Sequence, residues 1–303
     1  MENNVKNNTQ YDHEIDLKEL FDVLLAGSRK IIAITAVFAI ASVIYALSIP
    51  NQYKATVLLA PAQTDNSSLS GTMGQLGGLA SFAGISIGGG EASEFKIAQE
   101  IMKSWSFIES FIEENDLAVQ LSAIEGWDIE ANELKINDSV YDIDNKRWLV
   151  EKPSSWKLFT SFSEIVSIGE PGISGLLPIS IEHYSPHVAK QWLDLYISAI
   201  NKHMQERQMV KISNNIEYIE TQIEKTSITE MQKVFYTIIE EQIKNKMLAE
   251  ASPDYVFVAV SPSMVPEERS HPKRTVIVII GTLFGGILSV LLVLLMHYFR
   301  RSN

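Results

Sequence analysis

Gly84-Ile85-Ser86-Ile87-Gly88 spells G-x-S-x-G, the pattern that carries the nucleophile of many serine hydrolases. That chemistry needs a strand running into the serine and a helix leaving it, so that the hydroxyl is held at a strained turn above a sheet. Here "GGLASFAG" precedes the motif and "GGGEAS" follows it, and neither reads as a strand or as a helix start. Gly84 and Gly89 also have the spacing of a phosphate-binding loop, yet Gly90-Glu91 stands where lysine and a hydroxyl residue must grip phosphate and magnesium. His183 and His187 are four residues apart, but Pro186 starts a helix between them, so the two imidazoles do not share one helical face for a metal. The sequence thus offers no catalytic, cofactor-binding or metal-ligating set, and a non-enzymatic role is expected. The enzymatic alternative is an envelope hydrolase using Ser86.

Composition narrows the classes further. The 303 residues include 37 acidic and 25 basic side chains, a net charge of -12, which argues against nucleic acid as a partner. With no cysteine, disulfides, thiolate nucleophiles and most zinc sites are removed together.

The elements that could position anything are set by two apolar runs. Residues 31–49, "IIAITAVFAIASVIYALSI", and 275–296, "TVIVIIGTLFGGILSVLLVLLM", carry no charge. Each is long enough at about 1.5 Å per residue to cross a hydrocarbon layer about 30 Å thick. Arg29-Lys30 before the first run and Arg300-Arg301 after the second put both ends in the cytoplasm, with Lys273-Arg274 as a dissenting vote. The expected order is a cytoplasmic segment 1–30, a span 31–49, an extracytoplasmic domain 50–272, a span 275–296 and a short tail 297–303. Thirty-one of the acids but only 17 of the basic residues lie in 50–272, so that domain should stand away from an anionic membrane surface. Ahead of the first span, Leu17, Leu20, Phe21 and Leu24 recur at helical spacing behind a cap at Asp16, either as a separate amphipathic helix or as an extension of the span.

Within the domain, "QYKATVLLAP" reads as a first strand, and the Gly, Ser and Ala-rich stretch after it as a loop. Ala98, Ile101, Trp105, Ile108 and Ile112 form the apolar face of one helix capped by Ser93, and residues 115–156 read as irregular with Trp127, Trp148 and Trp156 as anchors. "EIVSIGEPGISGLLPISIEHY" predicts a hairpin. Ser185-Pro186 then opens a helix of some 40 residues, a rod near 60 Å, whose stripe runs through Ala189, Leu193, Tyr196, Ile200, Met204, Ile212, Ile216, Ile219 and Ile223. A second helix opens on a capping box at Ser227-Ile228-Thr229-Glu230 and runs past Met231, Val234, Phe235 and Ile238, so the two span about 186–251. The stripe is longer than one short partner helix covers, which implies contact between protomers. "DYVFVAV" returns as a strand, and Pro262, Pro266 and Pro272 stiffen the connector into the second span. Gly281, Gly285 and Ser289 make a groove along that span, and Thr35, Ala39, Ser42 and Ala46 a small-residue face on the first, the surfaces on which helices approach closely in lipid.

"EIDLKEL" before the first span, "YKATVLLAP" after it, "ISIEHYSP" at the long helix, and above all "SPSMVPEERSHPKRTVIVIIGTLFGG" together resemble the polysaccharide co-polymerases, in particular the O-antigen chain length determinants of the Wzz type. The resemblance extends along the whole chain. It implies an α+β fold: two transmembrane helices flanking a periplasmic domain, with a small membrane-proximal α/β sheet and a long projecting helical arm. It implies an oligomeric regulator of lipopolysaccharide in the bacterial inner membrane, a homo-oligomer ring of eight. Its partners would be the O-antigen polymerase and the lipid-linked glycan, and it would need no cofactor. Pro262, Pro266, Pro272, Gly281 and Gly285 would then serve membrane-proximal geometry and partner contact. Similar ends occur in the membrane half of bacterial tyrosine autokinases, which carry Walker motifs after the second span. Only "HYFRRSN" follows here, so the alternative is an adaptor for a separate cytoplasmic kinase in capsule or exopolysaccharide export.

Overall fold

A computed structural model describes residues 17–62, 90–128, 130–131 and 133–302. Ser86 with its glycine-rich surroundings and the expected cap at Asp16 lie outside these. The chain divides into two compact units, 1–50 with 271–303, and 51–270.

The first unit is a pair of helices, α1 (Leu17–Ser48) and α8 (Arg274–Ser302). Of these, Phe21–Ser48 and Arg274–Phe299 are each long and apolar enough to cross a membrane. The lead-in and the first apolar run form one continuous helix, because nothing between Leu24 and Ile31 breaks the backbone ladder.

The second unit is built on β1 (Gln52–Pro61). It pairs antiparallel with β7 (Leu177–His183) in the register Tyr53 with His183 through Leu59 with Leu177. β6 (Val166–Ile168) flanks β7, and β8 (Phe257–Ala259) flanks β1, giving the order β6-β7-β1-β8 with β9 (Arg269–His271) also on β1. Period-two alternation puts Ala55, Val57 and Leu59 on one face beside Leu177, Ile179 and Ile181, all buried. Against that face packs the first third of α6 (Pro186–Lys225), through Ala189, Trp192, Leu193, Tyr196 and Ile200.

The long helix begins as its residues dictate. Ser185 accepts the Val188 N–H at 3.5 Å, and Pro186 occupies the first turn, where a missing N–H costs nothing. The chain then turns and α7 (Thr229–Glu250) runs back along α6, tied by Gln205 Nε2 donating to the Ala249 carbonyl at 2.8 Å and by Lys246 Nζ donating to Ser213 Oγ at 3.1 Å. This hairpin is the helical arm. The capping box does not form: Ile228 is the N-cap and makes no side-chain bond. Gln232 instead reaches back, donating to the Thr226 carbonyl at 2.8 Å, and so closes the end of α6. Met231 and Val234, apolar residues of this second helix, are exposed.

Other departures cluster between the first strand and the hairpin. The helix expected through Ile112 is two helices, α2 (Gly90–Lys103) and α3 (Trp105–Glu114), and α2 opens ahead of Ser93. Ser104 makes the break by donating to the Ile101 carbonyl at 2.7 Å and accepting the Phe107 N–H at 3.4 Å. The irregular stretch after α3 contains α4 (Ala118–Ser122), hairpins β2 (Ile124–Asp128) with β3 (Glu133–Ile136) and β4 (Tyr141–Asp142) with β5 (Arg147–Trp148), and helix α5 (Ser155–Ile165). These elements close the core around Tyr196, whose ring meets Phe107, Phe111 and Phe162 at 5.5, 5.0 and 5.2 Å. Its hydroxyl donates to the Met102 carbonyl, and burial raises its pKa far above the ordinary phenol range.

Candidate functional site at the seam of the apolar helices

α1 and α8 run antiparallel, and the seam between them is a ladder of small residues. Gly27 lies against Val293, Thr35 against Ser289, Phe38 against Gly285 and Ser42 against Gly281. The numbers rise on one helix as they fall on the other, in steps of three, four and eight, so one stripe of each helix faces its partner. Ala39 is half-buried on the same stripe, and Ala46 is buried.

Two of the glycines permit this approach outright. A Cβ on Gly285 would sit 2.4 Å from the Cβ and 2.8 Å from the Cγ of Phe38, and one on Gly281 would sit 1.8 Å from Ser42 Oγ and 2.7 Å from Ser42 Cβ. Between apolar helices in lipid the pairing must come from close packing and hydrogen bonds rather than from escape from water. The seam supplies both. Ser289, fully buried, donates to the Gly286 carbonyl at 2.7 Å, which leaves its oxygen to accept from Thr35 Oγ1 at 3.3 Å. Ser42 donates to the Phe38 carbonyl at 2.7 Å, so no hydroxyl in the seam is left to face hydrocarbon unbonded. The opposite faces expose Ile32, Val37, Ile40, Ile44, Leu283, Phe284 and Ile287, a surface suited to lipid or to other helices.

Gly27 was missed in the sequence because Arg29 and Lys30 end the uncharged run just after it. Its signal was its phase, eight residues before Thr35 on the same face. A Cβ there would meet Val293 Cγ1 at 2.4 Å.

The three prolines of the connector have separate surroundings. Pro262 is exposed and Pro266 half-buried, on either side of Ser263, whose hydroxyl donates to Asp194 of α6. Ser270 Oγ donates to the Gln52 carbonyl at 3.1 Å. The connector is thus fastened to the folded domain by side-chain bonds, besides being stiffened by proline. Pro272 stands half-buried just ahead of α8.

His183 and His187 do not converge. His183, 6% exposed, ends β7 with its ring on Trp192, while His187 is exposed on the first turn of α6 with its ring 6.4 Å from that of Trp127. Nδ1 of His183 accepts the Ser185 N–H at 3.1 Å, and burial pushes its pKa down to about 4. Among the described residues no group of three or more His, Asp or Glu is placed to share a metal ion.

Residues 13–115 match the family model described as Wzz, chain length determinant protein. No curated protein matches the chain significantly. Among solved structures, a full-length bacterial polysaccharide co-polymerase is similar over 95% of this chain and 99% of its own, at 13% identity and a TM-score of 0.41. A fragment of WzzB, a polysaccharide co-polymerase from Salmonella Typhimurium, is similar over 73% of this chain and 100% of its own, at 15% identity and a TM-score of 0.33. The family match covers the whole of α1, β1, α2 and α3, so the similarity to the chain length determinant family lies in the N-terminal third of the chain, first apolar helix and first strand together.

Proposed function

We infer that the protein sets the length of O-antigen chains, as an oligomeric, non-catalytic scaffold of the bacterial inner membrane that acts on the O-antigen polymerase. The observation that carries this reading is the family match over residues 13–115. Supporting it are two apolar helices that fit a two-pass membrane protein with a large domain between them. On this reading the domain 50–272 is periplasmic, both termini are cytoplasmic, and protomers stand side by side in a ring of about eight subunits, a number taken from the resemblance alone. The arm would supply the lateral contacts, since it leaves Val210, Tyr218, Tyr236, Ile243 and Met247 exposed. The seam glycines would set the angle at which the membrane pair is presented to the polymerase, with Pro262, Pro266 and Pro272 holding the approach.

The test is a chain length determinant deletion strain, its lipopolysaccharide resolved as a ladder with and without this chain. The expected result is a restored modal length, altered or lost when Gly281 and Gly285 are both replaced by Leu. An unchanged random ladder in the presence of well-expressed chain refutes the O-antigen assignment. A change confined to capsular polymer would transfer the role to capsule.

A further inference from the structure

Where α3, α5 and the start of α4 meet, the domain has a cleft of about 490 Å³ lined by Glu109, Ile112, Glu113, Asp116, Lys152 and Leu158, among others. That volume lies in the range that holds small ligands, about 300–1,000 Å³. Its floor is apolar and its wall is ionic. Among the described residues Glu113, Asp116 and Lys152 have no side-chain hydrogen-bond or ion-pair partner, although carboxylates and an ammonium line one cleft. Glu109 accepts the Ser155 hydroxyl on one oxygen, and its second oxygen has no partner among the described residues.

Two indoles neighbour Ser155, which lines the cleft. Trp105 is 45% exposed, yet its ring is fixed, because Nε1 donates to Ser155 Oγ at 3.1 Å. Trp156, 66% exposed, follows Ser155 on the same turn of α5. Exposed indoles contribute nothing to the core, and a fixed indole face beside carboxylate acceptors is the arrangement that receives a sugar: C–H groups lie on the ring and hydroxyls donate to the carboxylates. A divalent cation fits less well, because the acids do not gather around a common point among the described residues.

Asp116 adds an independent handle. It ends α3 in the left-handed region, φ 52°, in the position usually given to glycine. Asp116 N–H bonds the Glu113 carbonyl and Leu117 N–H bonds the Ile112 carbonyl, so the turn satisfies its backbone without help from the carboxylate. An aspartate there is a poorer choice than glycine for folding, and Asp116 lines the cleft.

We propose that this cleft binds a short stretch of neutral or hydroxyl-rich oligosaccharide, with Trp105 as the stacking face and Glu109, Glu113 and Asp116 as hydroxyl acceptors. The proposal deepens the reading that the chain acts on a glycan, and rests on it. The test uses the full chain in detergent and, as probe, oligosaccharides of one to four repeats released by mild acid from the lipopolysaccharide of the bacterium that carries it. Saturation-transfer NMR and quenching of tryptophan emission read binding. Trp105→Ala and Glu113→Gln should each weaken it at least tenfold. Asp116→Gly should weaken it while thermal stability stays level or rises, which separates lost recognition from lost folding. Equal binding by all variants, or a response to calcium chloride with none to oligosaccharide, overturns the proposal. If the wild-type chain restores the ladder in the deletion strain but does not bind, the cleft is refuted and the regulatory reading stands. If it binds but restores nothing, the regulatory reading fails and the cleft stands.

Discussion

Gly285 and Gly286 are adjacent in one helix, and the seam predicts opposite outcomes for the same substitution at each. A methyl on Gly285 meets Phe38 Cβ at 2.4 Å, whereas one on Gly286 meets nothing nearer than Thr35 Oγ1 at 4.0 Å. Relaxed carbon contacts lie at about 3.5–4.0 Å, so the first methyl is short by roughly 1 Å. Phe38 cannot yield by changing rotamer, because the obstructing atom is its own Cβ; the helices must part. Parting by about 1 Å forfeits a quarter to a half of the attraction in each contact along the seam, and overpacking of this kind costs about 1–3 kcal/mol. That is about a five- to 150-fold shift of the pairing equilibrium. Gly286→Ala meets no obstruction and removes a poor helix former, so it should be neutral or mildly stabilising by up to about 1 kcal/mol.

The absence of cysteine makes the measurement clean. Thr35→Cys with Ser289→Cys places two thiols where hydroxyls stand 3.3 Å apart, and copper-phenanthroline oxidation in native membranes reports how often they meet. The pair should close rapidly in the parent and with Gly286→Ala, and about tenfold more slowly with Gly285→Ala. Equal rates for the two alanine variants would refute the close approach at Gly285 and with it the seam as described.

Two further outcomes concern the domain between the two apolar helices. His183 holds a pKa of about 4 in the fold against 6.5 for a free imidazole, so the unfolded chain takes up the proton first and stability falls as pH drops from 6.5 to about 4. The loss should approach about 1.4 kcal/mol per pH unit, roughly 3 kcal/mol in all. Urea midpoints followed by tryptophan emission at pH 7 and pH 4.5 should converge in His183→Gln, and an unchanged difference would assign the slope to other groups. Asn201, 2% exposed, donates to the Phe257 carbonyl at 2.8 Å and accepts the Val256 and Phe257 N–H groups at 3.0 and 2.9 Å, tying β8 to α6. Asn201→Ala should cost about 2–5 kcal/mol by leaving three buried backbone groups unsatisfied, and a loss below 1 kcal/mol in the same assay would show that water replaces the side chain.

What could be read from the residues divides along the range of the interaction that decides each element. The strand at "QYKATVLLAP", the hairpin into "ISIEH" and the rod from Pro186 are set by patterns repeated over many residues, and each stands where the pattern put it. α5 buries only Leu158 and Phe162, one pair four apart, which is too short a repeat to register against its serines. The break at Ser104 left no trace in the apolar series because Ile101 and Ile108 stay buried or half-buried on either side of it. It did rotate Trp105 off the core face. A residue counted as core from its spacing became an exposed, hydrogen-bonded indole because one serine preferred to cap a new helix. The cleft follows from the same event, since the capped start of α3 brings Trp105 to Ser155 and Glu109 to the same hydroxyl. Patterns of burial locate a framework, and a local competition for backbone hydrogen bonds then decides which side chains the framework leaves free to act on something else.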